Sequence, residues 1–365
     1  ILSGLNSKES GFFTAIGYDP NGSEYKNMRF LKQAGFIENL LSDALFYKKH
    51  SFRSIFRRIV IKYLIRRNKF KMRTYEIPLS LLHYFNLTED LNDHRDKNAF
   101  KSESIFDLLE KNGKKCFYDS FTALGLPENG GDNDKLQLVL NQASHKDFQL
   151  YLIYNSKPDF LGHKYGVKSI EMKNGLNLLD KSLSDFTEKF IKKEPKTTFI
   201  YLGDHGMTNV LDHFNAQNEM LNLAKSHNLK LHTDYIYFLD STIARIWFIS
   251  KKAKVLKDMM CNSKLFLMKG NFVDNIFAEK YNIPLGDSRY GDLIWVANEG
   301  VLITPDFFHT IHDVPIGMHG YNPNLPNSRG CSIVFDNAHK QKKIKIFEEK
   351  KLTYIFEILK KAIKN

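Results

Sequence analysis

Apolar residues along the chain recur in two rhythms. In "SESIFDLLEKNGKKCFY" they follow a helical spacing up to Gly113 and then condense into a short strand. "DKLQLVLNQASHKDFQLYLIYN" repeats the order, a helix and then an apolar run over Phe148–Tyr154. A long amphipathic helix follows, with Ile170, Leu176, Leu179, Leu183, Phe186 and Phe190 near helical spacing, ending by Pro195. "TTFIYL" then predicts another buried strand. Near-continuous apolar strands between helices belong to a sheet covered on both faces, so the expectation is an α/β fold with a largely parallel sheet flanked by helices.

After Gly206 the pattern changes. "KLHTDYIYFLDSTIARIWFIS" predicts two adjacent strands joined by a tight turn near Asp240, and "KKAKVLKDMM" a helix. "GDLIWVANEGVLITP" adds two short strands, and "KQKKIKIFEEKKLTYIFEILKKAIKN" reads as a closing amphipathic helix. The expected organisation is a main α/β domain over 1–205, a small inserted α+β subdomain over 206–305, and a return to the main domain over 306–365. A basic helical insertion interrupts the first part at about 40–95.

The 365 residues suffice for one large core or two smaller ones. No uncharged apolar stretch reaches the ~18 residues a spanning helix needs. The three cysteines, Cys116, Cys261 and Cys331, are odd in number and lack C-x-x-C spacing, so the expectation is reduced thiols in a cytoplasmic protein. The chain opens on Ile1 without a leader pattern, and the expectation is a piece whose N-terminus is missing.

The formal charge of +12 is local. Eleven of the 53 Lys and Arg lie between Lys48 and Arg73, where there is no acid, and the 42 elsewhere nearly balance the 41 Asp and Glu. A nucleic-acid surface spread over the fold is therefore disfavoured. Within "SFRSIFRRIVIKYLI", Phe52, Ile55, Phe56, Ile59 and Tyr63 share one helical face, and Arg57, Arg58 and Lys62 lie roughly opposite. Three uses fit: a lid helix whose apolar face is core, which is the leading expectation; an anionic membrane contact; or steering of phosphate-bearing substrates.

Chemistry-bearing residues gather at predicted strand ends. "NSKPDFLGHKYG" brings Asp159, Gly162, His163 and Gly166; "GDHG" brings Asp204 and His205; "GMHGYNP" places His319 between glycines. In parallel α/β sheets ligands bind beyond the carboxyl ends of the strands. Each motif alone could be a turn with a capping Asp. Jointly they place two Asp and three His on three loops, a donor set suited to zinc and similar metals. The other ten histidines, His213 and His232 among them, read as surface or core residues.

At this point the residues carry a resemblance. "PDFLGHKYG", "GDHGM" and "GMHGY" resemble the metal motifs of the alkaline phosphatase superfamily, most of all its type I phosphodiesterase and nucleotide pyrophosphatase branch. "ILSGLNSKESGFF" is similar to the segment that follows the nucleophile there. The resemblance implies an alkaline-phosphatase-like fold and two divalent metal ions, zinc first and manganese second. By it Asp159, His163 and His319 hold one metal, and Asp204 and His205 help hold the other. It also places the nucleophilic Thr or Ser, and a further metal-binding Asp, before Ile1. Ser3, Ser7 and Thr14 stand at the wrong offset for that role. On this reading the chain as given binds the second metal weakly and does not turn over. Ser10 replaces a His usual in the family, and Ala15 stands where many nucleotide-cleaving members have a substrate-contacting Asn, a departure that weakens the case for a nucleotide substrate.

The implied activity is a metal-dependent phosphoesterase, foremost a phosphodiesterase acting on a small phosphate ester. Other readings are a phosphomonoesterase, phosphomutase, sulfatase or phosphoethanolamine transferase on the same site, or a non-catalytic protein binding membrane surfaces.

Overall fold

The computed structural model describes residues 1–28, 30–43, 52–67, 69–89, 92–119, 131–143, 147–310, 313–337, 343–345 and 350–364. Contacts divide the chain into two units. One comprises Ile1–Ser10, Asp93–Val210 and Pro315–Asn365, the other Gly11–Asn92 and Leu211–Val314.

In the first unit Ser104 opens the helix Ile105–Lys111. Its hydroxyl accepts from the Asp107 N–H while the Asp107 carboxylate accepts from the Ser104 N–H. Such reciprocal capping satisfies two donors that a helix start leaves orphaned, at roughly 1 kcal/mol. The strand Cys116–Tyr118 then pairs in parallel with Leu150–Leu152, with the helix Asp132–Ala143 between them in sequence. Thr198–Gly203 pairs antiparallel with Cys331–Asp336, which also pairs with Lys343–Lys345.

Side chains alternate across these strands. Tyr118, Leu150, Leu152, Ile200 and Leu202 pack with the helices Ile105–Lys111 and Tyr354–Lys364. Phe117, Tyr151, Phe199 and Tyr201 pack with the helices Asp132–Ala143 and Ile170–Lys193. Strand residues alternate faces with period two, so continuously apolar strands feed two cores at once.

The second unit is built on a four-stranded antiparallel sheet, in the order Gly270–Phe272, Leu293–Ala297, Ile243–Phe248, Tyr235–Leu239. Trp295 and Arg245 are fully buried in it. Arg245 is held by Asp240 at 3.1 Å and donates to the Ile16 carbonyl at 2.7 Å. The helices Phe30–Asp43 and Phe52–Arg67 belong to this unit.

Several expectations need correction. The C-terminal segment is not one helix: the strand Lys343–Lys345 precedes a helix confined to Tyr354–Lys364. The long helix Ile170–Lys193 buries Phe186 and Phe190, but Ile170 and Leu176 are exposed. The basic helix is not a lid with its apolar face in the core. Phe52 is 61% exposed and Ile59 63%, whereas Arg57, expected opposite, is 4% exposed. Its guanidinium is accommodated because Glu38 pairs with it at 2.8 Å and the Tyr75 carbonyl accepts at 2.6 Å. Lys48 and Lys49 lie outside the described residues.

Candidate metal centre

The first motif lies on a helix, not on a loop as expected. Lys157–Tyr165 follows the strand Leu150–Leu152, with a proline in its first turn. A helix brings residues four apart onto one face, so Asp159 and His163 stand together. Its start is held by Asp132, whose carboxylate accepts from the Ser156 N–H at 3.1 Å and the Lys157 N–H at 2.9 Å. The helix ends at Gly166, whose φ of +82° few residues adopt without strain.

The GDHG motif directly follows the strand Thr198–Gly203. Thr208–Asn209 then pairs antiparallel with Gly317–Met318, which draws the loop carrying His319 alongside. The Ile316 N–H donates to the His163 carbonyl at 2.7 Å and the Val210 N–H to the Ile316 carbonyl at 2.7 Å. A Cβ at Gly317 would sit 2.4 Å from the Gly162 carbonyl oxygen, so this approach requires glycine.

The three segments thus bring their side chains together. Oδ1 of Asp159 lies 3.3 Å from Nε2 of His163 and 3.5 Å from Nε2 of His319. One ligand atom from each of the three residues falls within 4.8 Å of the others. The His205 ring stacks on His319 at 4.0 Å, and the His163 ring lies 5.0 Å from it. Nε2 of His205 is 3.7 Å from Oδ1 of Asp204. All five sequence candidates therefore occupy one neighbourhood within the first unit.

Hydrogen bonds set the tautomers. Nδ1 of His163 donates to the Gly317 carbonyl at 2.9 Å, and Nδ1 of His205 to the Gly206 carbonyl at 3.0 Å. A carbonyl only accepts, so in each neutral ring Nε2 carries the lone pair. Oδ1 of Asp159 is buried without a well-formed hydrogen bond. The lone pairs of Asp159 and His163 thus face each other and call for a cation between them, a metal ion or a proton.

The electrostatics agree. Burial pushes the Asp159 carboxyl up, but the close approach of the His163 ring and the nearby His319 and His205 rings hold it below the usual range. Burial pushes the His163 imidazole down, but the Asp159 carboxylate and the Gly317 carbonyl outweigh it and raise its pKa. Tyr154 was missed in the sequence. Burial, followed by the charges of Asp159, Asp204 and Asp132, pushes its hydroxyl up to about 12. Its only sequence signal is its place as the last residue of the apolar run before the first motif.

Among solved structures the chain resembles ectonucleotide pyrophosphatase/phosphodiesterase 5. The inactive murine protein in complex with AMP matches with a TM-score of 0.59 and 18% identity, over 78% of this chain and 76% of that one. A second murine structure matches with a TM-score of 0.54 and 19% identity, over 71% of each chain. The human protein matches with a TM-score of 0.55 and 18% identity, over 73% of this chain and 71% of that one. The fold is therefore alkaline-phosphatase-like. The family model for type I phosphodiesterase / nucleotide pyrophosphatase matches residues 1–322. With that match running through all three motifs, the chain belongs to the type I phosphodiesterase / nucleotide pyrophosphatase family, hydrolases of phosphoric esters in the alkaline phosphatase superfamily.

Proposed function

We propose that the protein is a two-metal phosphodiesterase. In it Asp159, His163 and His319 hold one divalent ion, and Asp204 and His205 contribute to a second. The family depends on divalent metals. The observation that carries the assignment of these residues is the meeting of the Asp159 Oδ1 and His163 Nε2 lone pairs at 3.3 Å, with His319 Nε2 at 3.5 Å. Two imidazoles and a carboxylate suit zinc, with manganese second.

Bound divalent ions would promote ionisation of an attacking hydroxyl and neutralise charge on the phosphoryl oxygens. The chain's own residues orient that chemistry. The Gly317 and Gly206 carbonyls hold the His163 and His205 rings with Nε2 presented. With Nε2 engaged, His205 acts as a ligand and not as a general base. The nucleophile is a Thr or Ser that the family resemblance aligns before Ile1. The AMP in the murine structure supports a nucleotide ester as substrate. Ala15 argues for a broader phosphodiester class.

The test is hydrolysis of bis-(p-nitrophenyl) phosphate by the full-length protein. Chelator should abolish it, and zinc or manganese should restore it. Asp204→Asn should lower the rate by roughly 100-fold or more, since it removes a charged group acting on the transition state. Undiminished turnover in Asp204→Asn, or in chelator, would overturn the proposal.

A further inference from the structure

We propose that the outward face of the two helices Phe30–Asp43 and Phe52–Arg67 docks on an anionic lipid bilayer. The helices run antiparallel against each other. The Phe30 ring meets the edge of Tyr63 at 6.0 Å, and Glu38 meets Arg57 at 2.8 Å and Arg53 at 3.3 Å. That ion pair turns inward, so the acid of Glu38 is withdrawn from the outer surface, at 1% side-chain exposure.

Outward stand the groups a soluble core would normally claim. Phe36 is 66% exposed and Leu40 55% on one helix, with Phe52, Ile55, Ile59 and Tyr63 exposed on the other. The last four are spaced three and four apart and form a single stripe. Arg58, Lys62 and Arg66, each four residues from the next, form a second exposed stripe beside it. Contiguous exposed apolar residues on this scale mark an interaction surface.

Charge chooses the occupant. No acid occurs from Lys48 to Arg73, so the Phe52–Arg67 helix presents only positive charge beside its aliphatic and aromatic side chains. A bilayer carrying anionic headgroups over acyl chains complements both features at once. The contact is interfacial, since among the described residues no helix is long and apolar enough to cross a membrane.

Co-sedimentation of the full chain with vesicles tests this. The protein should pellet with phosphatidylcholine vesicles containing phosphatidylglycerol, and not with pure phosphatidylcholine. Binding should weaken in high salt. Arg58→Gln, Lys62→Gln and Arg66→Gln together should weaken it on the order of 100-fold, at about fivefold per base. Phe36→Ser with Ile59→Ser should weaken it on the same anionic vesicles. All five side chains are exposed, so both variants should melt with the wild type, which separates lost docking from lost folding. Ile59→Trp should shift its fluorescence to the blue when anionic vesicles are added. Failure to pellet with anionic vesicles would overturn the proposal. So would equal binding by both multiple variants, or a dimer in solution that Phe36→Ser with Ile59→Ser dissociates, since the surface would then be an interface between copies.

Discussion

Nδ1 of His163 donates a hydrogen bond to the backbone carbonyl of Gly317 across 2.9 Å, joining positions 154 residues apart. One bond sets the tautomer of the His163 ring and ties the segment that carries His319 to the helix that carries Asp159. The Ile316 N–H, bonded to the His163 carbonyl at 2.7 Å, secures the same approach from the other side.

Gly317→Ala should loosen this junction. The new methyl would face the Gly162 carbonyl oxygen at 2.4 Å, a backbone atom that cannot swing aside. Relieving such overpacking costs ~1–3 kcal/mol and moves the carbonyl away from His163. Zinc affinity, measured by competition with a chromogenic chelator, should fall ~10–100-fold, the usual loss when a partner behind a ligand is disturbed. Unchanged affinity would show that the Gly317 carbonyl does not set the ligand.

Metal affinity should rise with pH, and the rise should continue above 6.5. His163 has a raised pKa in the fold, so it stays protonated above the range of a free imidazole, and a proton on Nε2 must leave before a metal binds. In the metal-free protein the sign reverses. There the contact with Asp159 contributes stability that is full below pH 6.5 and is lost as pH rises through the raised folded-state value. Zinc titrations and thermal melts at a series of pH values check both halves. A pH-independent zinc affinity across neutrality would contradict the assignment of His163.

Lys135→Met should destabilise the first unit. The Lys135 ammonium lies 2.7 Å from Asp119, with side-chain exposures of 3% and 0%, and also donates to the Tyr154 carbonyl at 3.1 Å. Asp119 in turn accepts from the Tyr154 N–H at 3.2 Å, so the pair clamps the chain just before the helix of Asp159. Removing one partner of a buried pair leaves an uncompensated charge and costs ~3–5 kcal/mol. Urea unfolding should report that loss, and Asp119→Leu combined with Lys135→Met should recover part of it. A single variant as stable as the wild type would show that the pair is not needed there.

Features set by near neighbours were legible in the chain. The strand and helix around Gly113, the hairpin near Asp240 and the helix after Ser250 follow from apolar spacing and turn residues. The five Asp and His candidates were legible because glycines flank them at predicted strand ends. The helical setting of Asp159 and His163 was missed, since an i, i+4 pair with Gly162 inside it reads equally well as a loop.

The sequence by itself determined which residues share a strand or helix face, because that periodicity is a property of the local backbone. It also supplied the Asp and His candidates whose donor atoms suit a metal. Only the tertiary structure decided which face of the Phe52–Arg67 helix is buried. Periodicity separates two faces but does not say which meets the protein, and here Glu38 and the Tyr75 carbonyl make the side with Arg57 the inner one. It alone grouped Gly11–Asn92 with Leu211–Val314. It alone brought His319 to Asp159, because pairing across such separations depends on strand register, on a glycine small enough for close approach and on carbonyls placed by packing. Those conditions are spread over the whole chain, and no short stretch of it contains them.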